Sequence, residues 1–495
     1  MATTARRPHR RRGLVAAAVM AAAPSVAETE RLLDAAFAAL ATACVAVRLA
    51  PFAWSALQRR SGEEKSAAMP AAGDDGDKAV AIKSLRRRFL AVFWFFRMAD
   101  WLQGPYFYEV YSSKLVSGRP ASEALVSNLF LTGFGTSAAL GASVGRLADC
   151  CGRKAGSLAH AVAASLAAFS THAASIPLLL AGRLAGGLAA SLASSPEAWL
   201  VGEHGHGDSL SDIFGLAYLG DAVAAVLAGR IAGAVAARWG PTAPFDASQV
   251  FLAGGAAVAA LTWRENARGR RKPPAGGEAA VAAPGAANAD KGGAGGTIEA
   301  WRMMRADPRI LSIGAVEALF EGAMYVFVMQ WPPALKAVVT HGEVPFGKVF
   351  SCLMASCMLG SSAFSGLLRL RPVEEVLAGA LALAAGAMAS AAASCRGSLR
   401  AVLASFFLFE ACVGIYFPAM GVLRSRYVPD SHRGIMTAMS RVPLNLLVVA
   451  VTLAGQRLGL RGSLLCSCVA LQASLLAQLR LCGGAAPMLG EAASS

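Results

Sequence analysis

Asp100, Gln103 and Phe107 fall on one helical face, and the Gly104-Pro105 pair among them interrupts the backbone hydrogen-bond ladder. A carboxylate beside freed backbone groups, with Tyr106 in the same segment, suits solute binding or ion coupling. The local alternative is mutual neutralisation of Arg97 and Asp100, three residues apart. Glu317 and Glu321 lie one turn apart in a second apolar run, a pairing that suits a proton carrier unless each carboxylate has its own arginine. Glu410 shares a third run with Tyr416, Phe417 and Pro418, and Arg441 and Asn445 share a face of a fourth, bent by Pro443. A guanidinium fork matches a tetrahedral oxyanion, so Arg441 is the first choice for anion contact, with a salt bridge to Glu410 or Glu321 as its plain alternative.

Other polar residues are harder to place. Arg183 and Glu197 share nearly one face but stand about 21 Å apart by helical rise, so they need different partners. Asp221 and Arg230, nine residues apart, point to opposite faces and do not pair with each other. His204 and His206 lack further ligands at metal spacing and read as a solvated loop. The ten cysteines include no CxxC, and those within apolar runs read as small buried side chains. With no nucleophile–base cluster, neither enzymatic activity nor a cofactor nor a metal is expected.

What positions these groups is a set of hydrocarbon-compatible helices. Of the 495 residues, 55% are hydrophobic and only 16% charged, and the mean hydropathy is +0.49. The net charge of +15 does not point to nucleic acid, because the basic residues sit mostly between apolar runs with no interleaved exposed aromatics. Twelve spans are predicted near 89–111, 124–144, 155–175, 177–200, 211–236, 243–263, 309–331, 346–368, 373–394, 399–423, 434–456 and 462–482. Each must be helical, because lipid satisfies no free backbone polar group. The expected organisation is a basic segment over 1–31, an extra apolar helix over 32–57, a polar linker over 58–88, a six-helix half over 89–263, a cytosolic linker over 264–308, a second six-helix half over 309–482 and a tail over 483–495. The Arg- and Ala-rich beginning is similar to an organelle transit peptide and reads equally as a basic tail. Arg86, Arg87, Arg88, Arg153, Lys154, the 264–308 linker, Arg369, Arg371, Arg424 and Arg426 fall on one side, which is therefore expected to be cytosolic.

Between the second and third main spans stands Gly145-Arg146-Leu147-Ala148-Asp149-Cys150-Cys151-Gly152-Arg153-Lys154. This resembles the loop signature of the major facilitator superfamily, and the resemblance implies an all-α fold of two six-helix bundles. It also implies a gating loop built on Gly145, Asp149, Gly152, Arg153 and Lys154, in which Asp149 caps a helix end or pairs with a cation. The segments ADWLQGPYFYEVY (99–111), GRLAGGLAASLASSPEAWLVGEH (182–204), EALFEGAMYVFVMQWPPAL (317–335), FEACVGIYFPAM (409–420) and SRVPLN (440–445) resemble the molybdate-anion transporters of eukaryotes.

That resemblance implies import of molybdate, a divalent tetrahedral oxyanion, across a bilayer by alternating access. Proton coupling through Asp100, Glu321 or Glu410 is expected, in a multi-pass protein of the plasma membrane or of an organelle membrane. The competing readings are a carrier of another anion or of an organic solute, and a non-transporting membrane sensor. On this reading Arg441→Ala abolishes anion uptake while leaving the protein inserted in the membrane. Unchanged uptake in a cell assay would remove Arg441 from the site.

Overall fold

A computed structural model of the chain describes residues 26–60, 75–116, 118–204, 209–266, 307–339, 343–395, 397–428 and 433–484. Apart from one two-stranded hairpin, Leu115–Val116 against Arg119–Pro120, the regular elements described are helices. In chain order they are α1 Val26–Arg60, α2 Asp75–Gln103, a 3₁₀ turn Gly104–Tyr106, α3 Phe107–Ser112, α4 Glu123–Cys151, α5 Arg153–Ser170, α6 Ile176–Leu192, α7 Ser195–His204, α8 Ser209–Trp239 and α9 Ala243–Thr262. There follow α10 Pro308–Val338, α11 Phe346–Leu367, α12 Val373–Ser394, α13 Leu399–Tyr427 and α14 Arg433–Gly484.

Local chemistry sets several boundaries. Ser122, Asp307 and Ser398 each accept a hydrogen bond from an amide of the first turn, starting α4, α10 and α13. The Gly104-Pro105 break of the first main span is the 3₁₀ turn between α2 and α3. The predicted fourth span is divided by a turn at Ala193 and Ser194, after which Ser195-Pro196 opens α7. Helix α14 carries the last two predicted spans, with Gly459 at φ 65° between them.

Among the described residues, nine segments are long and apolar enough to cross a membrane. They coincide with nine of the twelve predicted spans. The first, third and eleventh are helical but less apolar: α2 carries Arg97 and Asp100, α5 is built from Ala, Ser and His, and the first part of α14 contributes only the shorter apolar run Pro443–Gly455. The 32–57 segment is helical within α1 but is not one of the nine. Large apolar side chains such as Phe169, Val250 and Leu261 are exposed on helix faces, as a lipid-facing surface requires.

The chain divides into two compact units: Arg48–Ala280 with Phe346–Met354, and Met1–Val47 with Val281–Pro345 and Ala355–Ser495. The core of the first gathers Phe89, Phe93, Phe96, Trp199, Ile213, Leu252 and Trp263 from α2, α7, α8, α9 and the residue after α9. In the second, the rings of Phe320, Phe327, Phe406, Phe409 and Tyr416 pack between α10 and α13. Helix α1 up to Val47 belongs to the second unit, with Leu33 and Cys44 buried, the Cys44 thiol donating to the Ala355 carbonyl and Arg400 pairing with Glu28.

Glycines let α11 and α13 meet backbone to backbone. A Cβ at Gly360 would strike the Ala411 carbonyl, and one at Gly414 the Cys357 carbonyl. Gly414→Val is expected to destabilise the protein by about 1–3 kcal/mol through overpacking. Gly386→Ala, where nothing lies within 4 Å, should leave the melting temperature unchanged or slightly raised. Thermal unfolding in detergent checks both, and equal melting of the two variants would refute the close packing.

Candidate functional site

The ionisable groups of the first unit converge from four helices. Arg97 on α2 reaches Asp221 on α8 through two bonds, Nε to Oδ1 at 2.7 Å and Nη2 to Oδ2 at 3.1 Å. Trp101, one turn beyond Arg97, donates its indole N–H to Asp221 Oδ1 at 2.6 Å, and the Arg97 guanidinium carbon lies 4.9 Å from the Trp101 ring centre. Asp100 stands at a looser 3.6 Å from Arg97. The sequence reading that Arg97 and Asp100 neutralise each other is therefore only partly right, because the stronger partner is Asp221, which sequence reasoning left without a role. The signal was present: an acid midway along an apolar span requires a cation from another helix.

Next to this pair lies a cavity of about 160 Å³ lined by Arg97, Asp100, His160, Glu197, Tyr218 and Asp221 among others. The turn at Ala193 and Ser194 sets Glu197 into it, where Glu197 accepts from the Tyr218 hydroxyl at 3.0 Å. Glu197 thus lines the cavity. His160 on α5 was not anticipated. Its Nδ1 is 2.9 Å from the Ala189 carbonyl, which can only accept, so Nδ1 carries the proton. Three carboxylates against one guanidinium make this cavity a poor host for a dianion and a suitable one for protons.

The other proposed residues are dispersed. Gln103 donates to Ser248 Oγ at 3.1 Å, and Tyr106 is buried with its ring edge-on to Phe346. In the second unit Glu317 pairs with Arg424 at 3.1 Å, and Glu321 accepts from the Tyr416 hydroxyl at 3.3 Å. The two glutamates of α10 thus have separate partners. The partner of Glu317 is an arginine from the end of α13. Glu410 is buried and has no hydrogen-bond or ion-pair partner among the described residues. Asn445 is half-buried. Arg441 lies in α14, and its side chain is outside the described residues, as are those of Asp149 and Arg146; His206 is outside them altogether.

The loop between α4 and α5 is anchored by a residue outside the signature. The carboxylate at the start of α5 is that of Glu265, which accepts from the Lys154 and Ala155 amides at 3.0 Å each. Lys154 Nζ in return donates to the carbonyls of Ala260 and Trp263, at 2.7 and 2.9 Å, at the end of α9. Gly152, at φ 132°, leaves room that a Cβ would deny to the Glu265 carboxylate. Trp199 and Trp263 stack 3.9 Å apart at 4°. Trp199 donates to the Arg264 carbonyl, and Asn266 bonds the Trp199 carbonyl and Glu203. Residues 264–266, assigned from sequence to the linker, are therefore part of the folded loop cluster. Gly145 lies within α4 with open space where its Cβ would be, and Arg153 opens α5.

Asp221→Asn is expected to lower the stability of the protein, by less than the about 3–5 kcal/mol of a fully buried pair because the Arg97 side chain is 31% exposed. The double variant Arg97→Gln/Asp221→Asn should recover part of the loss. Melting of Asp221→Asn at the wild-type temperature would show that the pair is not a stabilising contact.

A family model described as sugar transporters with 12 TM matches residues 67–395. A Danio rerio protein named molybdate-anion transporter is 30% identical over 397 residues, covering 74% of this chain and 78% of the relative. A Xenopus tropicalis protein of the same name is 29% identical over 364 residues, 70% of this chain and 74% of the relative. Among solved structures, an auto-inhibited peptide transporter of the POT family superposes with a TM-score of 0.62 at 13% identity, covering 80% of this chain and 96% of that one. The structural likeness carries the fold, the sequence matches carry the kinship, and the chain is a multi-pass membrane transporter of the molybdate-anion transporter family within the major facilitator superfamily.

Proposed function

We propose that the protein imports molybdate by alternating access and that proton movement through its buried carboxylates accompanies the anion. The observation that carries the reading is kinship at about 30% identity along three quarters of the chain with proteins named for this anion. The charge arrangement supports it. Within the first unit the spans hold an acid-rich cavity next to a paired arginine, and within the second Glu410 is buried with no cation partner among the described residues. Carboxylates set within apolar helices are suited to picking up and releasing protons during transport. Asp100, Glu321 and Glu410 are the proposed proton carriers, and Arg441 with Asn445 the proposed anion contacts.

A carrier of organic solutes is the second reading, and the description of the matching family model as sugar transporters favours it. The two are separated by radiolabelled molybdate uptake in cells lacking their own carrier, with tungstate, sulfate and a hexose as competitors. The expected result is strong competition by molybdate and tungstate, weak competition by sulfate and none by the sugar. Sulfate competing as well as molybdate would end the claim of molybdate specificity, and uptake of the hexose alone would replace it. In the same assay Asp100→Asn should flatten the dependence of uptake on external pH. A profile like that of the wild type would exclude Asp100 as a proton carrier.

A further inference from the structure

Among the described residues, several arginines of the helices have a carboxylate partner and Arg183 does not. Arg97 has Asp221, Arg424 has Glu317 and Arg426 has Glu374 at 2.7 Å. Arg183 has no ion pair and no hydrogen bond among the described residues, and its Nε is buried without a partner. It lies in α6, within the apolar segment Ile176–His204.

Its guanidinium is held in place by shape instead of charge. The Cζ atom sits 4.4 Å from the centre of the Phe107 ring, just past the Gly104-Pro105 break. A Cβ at Gly133 on α4 would come within 2.5 Å of Arg183 Nη2, and one at Gly186 within 3.2 Å of Nη1. Gly133 is ten residues into α4, about 15 Å along the helix axis, which is about half of a hydrocarbon thickness. The guanidinium is therefore held near mid-depth and is not drawn toward an end of its helix.

A charged arginine deep in an apolar helix is costly, and a ring face offsets only part of that cost. An anion would supply the missing counter-charge. A planar fork of N–H donors, half-buried, with its Nε out of reach of water and no carboxylate partner among the described residues, favours an oxyanion able to accept two parallel bonds. The neighbouring acid-rich cavity cannot serve this purpose, because its carboxylates repel such a ligand.

We infer that Arg183, seated on Phe107 and framed by Gly133 and Gly186, is an oxyanion-binding residue of the first unit, with a divalent tetrahedral oxyanion as the counter-charge. The inference rests on the proposed anion transport and adds to it a binding residue in the first unit.

The test is equilibrium binding of radiolabelled molybdate to the purified full-length protein, with melting temperature as the control for folding. Arg183→Gln should weaken molybdate binding by about ten- to hundredfold, the range of a lost charge-assisted bond. Arg183→Lys, which keeps the charge but loses the fork, should fall between it and the wild type. Gly133→Ala leaves the arginine in place but displaces the far end of its side chain, and should also weaken binding. Wild-type affinity in either Arg183→Gln or Gly133→Ala would overturn the inference while leaving anion transport standing. If Arg183→Gln does not fold, Arg183→Lys and Gly133→Ala decide. Wild-type protein that binds neither molybdate nor sulfate would instead bring down the transport reading, and this residue's role with it.

Discussion

Hydrocarbon accepts no charge without an answering one, and that constraint organises this protein. Three arginine–carboxylate pairs tie different helices together: Arg97 on α2 with Asp221 on α8, Glu317 on α10 with Arg424 on α13, and Glu374 on α12 with Arg426 on α13. None of these pairs is worth much as a source of stability by itself, because desolvation offsets most of the attraction. Their value is in specificity. A helix rotated or shifted by one residue would strand a charge in lipid, so the pairs help fix the register of helices whose other core side chains are mostly apolar.

Much of the helical framework is legible in the sequence because the bilayer imposes it. Apolar runs of about twenty residues leave little choice but a helix, and the described helices fall where those runs do. The break at Gly104-Pro105 is legible for the same reason: proline removes a donor wherever it stands. Less apolar segments such as α5 are marginal by composition and are recognised only through their neighbours. The turn at Ala193 and Ser194 has no proline at its own position and passes unnoticed inside an apolar run.

Site partners are much less legible. Sequence separates Arg97 from Asp221 by 124 positions, and helical periodicity says only which residues share a face, not which helices face each other. Local rules favour Arg97 with Asp100, whereas three-dimensional packing supplies a better-aligned acid from α8. The same limit hides the part that Glu265 plays at the start of α5. A motif identifies its own residues, but the cap comes from a segment that reads, by composition, as the beginning of a linker. Glu197 and His160 are likewise drawn into one polar cavity by α7 and α5, two elements whose sequences offer no hint of each other.

The stacked indoles of Trp199 and Trp263 have a consequence beyond packing. Two parallel rings stacked face to face couple their electronic transitions, so the pair should carry an exciton signature in far-ultraviolet circular dichroism, distinct from that of an isolated tryptophan. Because one indole belongs to α7 and the other directly precedes the chain segment bonded to the signature loop, any rearrangement there must separate the chromophores. The molecule thus contains its own optical gauge, readable without a label, at the point where α9 passes into the connector.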